Sequence, residues 1–280
     1  MKIMMIVWLL VVVALLYLAA VLLLWLTQDR HVYYPERRLG ADPGLVGIAF
    51  RDVTFASADG PLLHGWWVPV ADARFTVIFC HGNAGNIAGR LETVRLLHDL
   101  GLALLIFDYR GYGRSEGRPS EAGLYADARA AWRHLVEEEG VSPDRIILWG
   151  RSLGGAVAAR VASETEPAGL MVESSFTSAA DLASRFYPWL PIRLLLRARY
   201  DTLSLVPDIT CPKLFVHSVD DEVVPYELGR QLFEAAAPPK QMVDIRGGHG
   251  GGFMRSLDVY RPAVQRFIAT LTEAPQRNRG

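Results

Sequence analysis

The chain has 280 residues, 51% of them hydrophobic, and a net charge of −1 from 29 basic and 30 acidic side chains. That balance excludes binding to nucleic acid or acidic lipid driven by bulk charge, and the length fits one large domain with a short appendage. The two cysteines, Cys80 and Cys211, lie in separate apolar segments and read as buried thiols, and there is no HExxH or zinc-spaced Cys/His cluster.

From Ile3 to Leu26 no charged residue occurs. As a helix this run reaches about 36 Å, enough to cross a hydrocarbon core of about 30 Å, and it exceeds the apolar stretch of about 7–15 residues in a cleaved signal peptide. Trp8 and Trp25 stand toward its two ends, where amphipathic rings favour the interface. Residues 1–28 are therefore expected to be a single-pass membrane anchor. Lys2 and the terminal amine on one side, and Arg30, Arg37 and Arg38 on the other, leave the side of the membrane open. Residues 29–47 are polar, with Pro35 and Pro43, and read as a linker or a strip along the domain surface. As a flexible tether they would keep the main domain, residues 48–280, within reach of a bilayer.

That domain opens with alternating apolar residues over Ile48–Ser57, an Asp59-Gly60 turn and a return strand over Leu62–Val70, an antiparallel pair. The pattern then changes. Phe75–Cys80, Ala103–Phe107, Ile146–Trp149, Leu170–Val172, Lys213–Val216 and Met242–Ile245 are short apolar runs of the kind buried on both faces. Helical stretches are expected at Ile87–Leu100, Glu121–Glu139, Gly155–Thr165, Tyr226–Ala237 and Tyr260–Leu271. This alternation implies an α/β fold, a mostly parallel central sheet flanked by helices. Residues 177–206, rich in aromatics, Leu and Arg with Pro188 and Pro191 interposed, are too long for an ordinary connection and are expected to form a small cap.

The chemistry centres on Gly150-Arg151-Ser152-Leu153-Gly154, between the apolar run IILW and the small-residue helix GAVAARVAS. A G-x-S-x-G at a strand-to-helix turn thrusts the serine out at a helix N-terminus, where N–H groups and the helix dipole favour developing negative charge. A serine hydroxyl needs a base and the base an orienter. Of seven histidines, His249 stands in the glycine-rich loop Gly247–Gly252 after the last expected strand, where the backbone can approach a nucleophile closely. A carboxylate in the segment HSVDDEVVP (His217–Pro225) would sit at the C-terminal edge of the sheet, and the order Ser, acid, His is that of the α/β-hydrolase template. The loop His81–Asn86 follows another strand, where a backbone N–H can join that of Leu153 in holding an oxyanion.

With HGNAGN (His81–Asn86), FDYRGYGRSEG (Phe107–Gly117), GRSLGG (Gly150–Gly155), SSFTS (Ser174–Ser178), HSVDDEVVP and GGHG (Gly247–Gly250) in this order, the chain resembles the α/β-hydrolase superfamily over residues 30–272. Within it, the resemblance is to membrane-anchored α/β-hydrolase-domain proteins that include depalmitoylating thioesterases. The resemblance implies the α/β-hydrolase fold and a triad of Ser152, Asp221 and His249, with oxyanion N–H groups on Asn83 and Leu153. Two departures are Ser218, where the family usually has Gly, and Gly250, where it has a polar residue. The implied activity is hydrolysis of a small-molecule acyl ester or thioester at a membrane, with no cofactor, metal or nucleic acid. A serine peptidase of the same fold and a non-catalytic membrane-tethered binding protein are the alternatives.

Overall fold

The computed structural model describes residues 1–273. The expected domain limit at 280 therefore reaches past the described residues. The polypeptide begins with α1 (Lys2–Thr27), a helix with a window of mean hydropathy 3.1, none of it buried by the rest of the protein. It is long and apolar enough to cross a membrane. A short helix, α2 (Asp29–Val32), and a two-residue strand, β1 (Tyr34–Pro35), follow it.

The main sheet starts with the antiparallel hairpin of β2 (Arg51–Ala56) and β3 (Leu62–Val68). It continues through β4 (Thr76–Cys80) and, after the short strand β5 (Ala84–Gly85), through β6 (Ala103–Phe107), β7 (Ile146–Arg151), β8 (Gly169–Glu173), β9 (Lys213–Ser218) and β10 (Lys240–Ile245). The eight strands run in the order β2-β3-β6-β4-β7-β8-β9-β10, and every pairing is parallel except those of β3. The expected strands fall on these elements with limits shifted by up to three residues.

The connecting helices are α3 (Leu91–Asp99), α4 (Glu121–Arg133), α5 (Leu153–Ala162), α6 (Ala179–Phe186), α7 (Ile192–Leu195), α8 (Tyr226–Ala235), α9 (Gly252–Arg255) and α10 (Leu257–Glu273). Side chains alternate across the sheet, so Ile146 and Leu148 join one core with α4, α5 and α8, while Ile147 and Trp149 join the other with α3 and α10. Helix α5 is built of small residues because it lies hard against the sheet: a β-carbon on Gly155 would come within 2.6 Å of Ser175. Two expected helices are not α-helical throughout. The first begins as a 3-10 turn at Ile87–Arg90, and the second passes at His134 into a wider π turn ending at Glu138.

Residues 29–47 do not form a free tether. Strand β1 pairs with β5, Asn83 Nδ2 donates to the Val32 carbonyl, and Asn86 Nδ2 donates to the carbonyls of Glu36 and Arg38. The Tyr33 and Tyr200 hydroxyls share a buried hydrogen bond of 2.8 Å. The expectation of a flexible tether is corrected on this point. Polar residues and prolines marked the segment as irregular, but its carbonyls are taken up by asparagine side chains fifty residues away, which no local pattern announces.

Candidate active site

Strands β7, β8, β9 and β10 are adjacent and parallel, so the loops that follow them leave the same edge of the sheet. At the end of β7 the chain turns through Ser152 at φ 56°, ψ −121°, a strained conformation for a residue with a β-carbon. The glycines around it are required by close packing. A β-carbon at Gly150 would lie 2.0 Å from the Gly154 carbonyl oxygen, and one at Gly154 would lie 1.9 Å from that of Cys80. The turn is held by the Ser152 N–H, which donates to the Glu173 carbonyl at 2.8 Å, and by Ser175 Oγ, which donates to the Ser152 carbonyl at 2.9 Å. Ser152 is thereby set at the N-terminus of α5, only partly buried.

Beside it runs the loop after β4. A β-carbon at Gly82 would be 3.6 Å from Ser152 Cβ, an ordinary contact distance, so the two loops lie side by side. The Asn83 carbonyl accepts from Tyr112 Oη at 2.8 Å and from the Tyr34 N–H at 3.1 Å, which orients the peptide units on either side. Among the described residues the N–H groups of Asn83 and Leu153 have no protein acceptor. Behind the loop His81 is buried with Nδ1 2.7 Å from the Gly82 carbonyl, and its Nε2 stands 3.6 Å from Asp108 Oδ1. Burial pushes the Asp108 carboxyl up to about 7 and the His81 imidazole down to about 3, so both groups are neutral between those two values.

The acid and the histidine meet directly. Asp221 Oδ2 accepts from His249 Nδ1 at 2.8 Å, while Oδ1 accepts from the N–H groups of Val223 and Val224 at 2.9 and 2.8 Å. Burial by itself raises the Asp221 carboxyl. The hydrogen bonds from His249, Val224 and Val223 outweigh it and leave the group below the ordinary carboxylate value. With a carboxylate on Nδ1, the proton of neutral His249 is held there and Nε2 is left to accept. His217 backs the acid but donates from Nε2 to the Val224 carbonyl at 2.8 Å, and burial holds it below the usual histidine value. Asp220 points elsewhere, accepting from the Gly247 N–H at 3.3 Å.

Several residues here carried no signal in the sequence. Glu222 Oε2 accepts from the His249 N–H at 3.1 Å and so fixes the backbone that carries the imidazole. Ser218, the departure from the family's glycine, donates through Oγ to the Gly247 carbonyl and ties the acid loop to the histidine loop. Arg151, beside the serine, is buried with Glu173 at 2.8 Å, and Tyr260 donates to the same carboxylate at 2.7 Å. The Arg151 guanidinium also stacks 4.2 Å from the ring centre of Phe253, four residues past His249, which joins the elbow to the histidine loop. Among the described residues no group of three His, Cys, Asp or Glu side chains is placed to hold a metal ion.

Residues 71–195 match the family model described as serine aminopeptidase, S33. The uncharacterized protein Rv2307c of Mycobacterium tuberculosis is 40% identical over 260 residues, 92% of each chain. The α/β-hydrolase domain-containing protein WAV2 of Arabidopsis thaliana is 34% identical over 278 residues, covering 89% of this chain and 90% of that one. Among solved structures, the Pyrococcus furiosus esterase Pf2001 superposes with a TM-score of 0.73 at 20% identity, over 85% of this chain and 98% of the esterase. The sheet order, the strained serine turn and these relatives together make the chain a member of the α/β-hydrolase superfamily, and a hydrolase of that fold.

Proposed function

We propose that the protein cleaves an acyl ester or thioester through Ser152, His249 and Asp221, on a domain carried by α1 as a single-pass membrane anchor. The observation that carries the reading is the 2.8 Å contact of His249 Nδ1 with the buried Asp221 carboxylate, on the sheet edge from which Ser152 projects. Ser152 Oγ attacks the acyl carbon while its proton passes to His249 Nε2. The oxyanion is received by the N–H groups of Asn83 and Leu153, and the leaving alkoxide or thiolate takes the proton from His249. Water then repeats the sequence on the acyl-enzyme, with His249 as base. Asp221 stays ionised throughout, holding the tautomer and stabilising the imidazolium. The apolar cap over residues 177–206 suits an acyl chain, because apolar walls exclude the water that would compete for it.

A fluorophosphonate probe tests the chemistry. The wild-type protein should be labelled once, and Ser152→Ala should not be labelled while keeping its fold. An unlabelled wild type, or a labelled variant, would remove the assignment. A series of esters, thioesters and aminoacyl amides of graded chain length then separates acyl hydrolysis from the peptidase chemistry named in the matching family model.

A further inference from the structure

Helix α1 does not stand apart from the catalytic domain. Near its C-terminal end the Arg197 guanidinium stacks 5.1 Å from the Trp25 ring centre, and the Gln28 carboxamide accepts from the Arg197 N–H at 2.7 Å. A tryptophan with an arginine marks the level of the membrane interface. Eight residues earlier, Tyr17 Oη donates to the Trp189 carbonyl at 3.2 Å. Eight residues of helix rise about 12 Å. The half-thickness of a hydrocarbon core is about 15 Å. The tip of the cap therefore lies alongside the middle of α1, well below the Trp25 level.

We infer that this tip, residues 186–195, is immersed in the acyl chains of the leaflet beside α1, so that the catalytic domain is seated in the membrane and not merely tethered to it. The inference rests on reading α1 as an anchor. The side chains fit the surroundings: Phe186, Tyr187, Trp189 and Leu194 are exposed, Trp189 to 57% and Leu194 to 86%. Most of the backbone fits as well, which is the harder condition in hydrocarbon. The N–H groups of Tyr187, Leu190, Ile192, Leu194 and Leu195 donate to carbonyls within the cap, Pro188 and Pro191 have no N–H to satisfy, and among the described residues those of Trp189 and Arg193 have no protein acceptor. The Trp189 carbonyl is satisfied by Tyr17, the one hydroxyl on the apolar stretch of α1 up to Leu26. Arg193, the one charged residue within the tip, is paired with Asp181 at 2.8 Å, and its long stem lets the guanidinium snorkel toward the interface. At the foot of α1, Arg30, Arg118 and Asp29 line a groove of about 620 Å³ with Leu26, Thr27 and Tyr33, placing a net positive charge at the headgroup level. An acyl substrate could then pass from leaflet to cap without crossing water.

Cys80 and Cys211 are buried, so single exposed cysteines can be labelled selectively in the full-length protein. A fluorophore would be placed on Leu194→Cys, on Leu9→Cys in α1, and on Val259→Cys in α10 as a control away from the cap. The three proteins would be reconstituted in phosphatidylcholine vesicles carrying a nitroxide either on the acyl chain or on the headgroup. The Leu194 and Leu9 positions should both be quenched about twofold more by the acyl-chain nitroxide, with Val259 unaffected by either. Quenching at Leu9 with none at Leu194, or with Leu194 sensing the headgroup nitroxide alone, overturns the immersion while the anchor stands. No quenching at Leu9 removes the anchor reading and the inference with it.

Discussion

Replacing Asp221 by Asn separates catalytic placement from mere polarity at the acid loop. The Asp221 side chain is 0% exposed, and its two oxygens face three donors, His249 Nδ1 and the N–H groups of Val223 and Val224. A carboxylate satisfies all three, but an amide cannot. If its oxygen keeps the two backbone donors, its NH2 faces Nδ1. The imidazole must then carry its proton on Nε2, where it can no longer accept from Ser152. If it flips, the NH2 opposes two backbone N–H groups in a buried site. Either way the productive tautomer is disfavoured, and the loss in kcat should be on the order of 10³–10⁴, about 4–5.5 kcal/mol of barrier. Asp220 provides the control. It is 49% exposed, with Arg246 at 3.4 Å, so Asp220→Asn should change kcat by less than about threefold. Initial rates on a short water-soluble ester, with thermal melts to confirm folding, decide between them. A reversed ranking, or more than a tenth of wild-type kcat retained by a folded Asp221→Asn, would refute the assignment.

Other consequences follow from packing and burial. Gly154→Ala forces a β-carbon into the Cys80 carbonyl and should lower stability by about 3 kcal/mol or more, whereas Gly250→Ala, with nothing within 4 Å, should melt within a degree or two of wild type. Equal melting temperatures would show that the backbone approach at Gly154 is not tight. Asp108 and His81 oppose each other in pH dependence. The raised carboxyl contributes stability that is full below about 3.8 and lost as pH rises through about 7. The depressed imidazole makes stability rise between about 3 and 6.5. Asp108→Asn removes the first contribution, so its stability should climb from pH 4 to 6.5 by up to about 1.4 kcal/mol per unit more steeply than wild type, and parallel profiles would contradict the burial argument. Removing residues 1–28 should leave short-ester activity largely intact. Removing residues 1–40 also strips the segment that binds Asn83 and Asn86, and should reduce kcat even on short esters by tenfold or more. Matching activities of the two truncations would show that the strap does not support the loop.

Much of this protein was legible without coordinates, because the signals concerned were local. Continuous apolar runs of three to six residues announced strands buried on both faces, and the alternation with amphipathic stretches announced the parallel sheet. The glycines of Gly150–Gly154 announced a turn that tolerates no β-carbon, and the uncharged run of α1 declared a candidate span by length alone. What the sequence could not determine was which distant groups complete each local feature. Nothing near Asn83 shows that residues 32–36 brace its loop, and nothing near His249 names Glu222 as the acceptor for its N–H. Arg151 reads locally as a variable position in a motif, yet the tertiary structure buries it between Glu173, Tyr260 and Phe253. The docking of residues 186–197 on the C-terminal half of α1 joins positions far apart in sequence, Tyr17 with Trp189 and Trp25 and Gln28 with Arg197. Periodicity and turn chemistry act over a few residues and are written into the chain. Partner choice across the fold depends on which polar groups burial leaves unsatisfied, and only the assembled tertiary structure decides that.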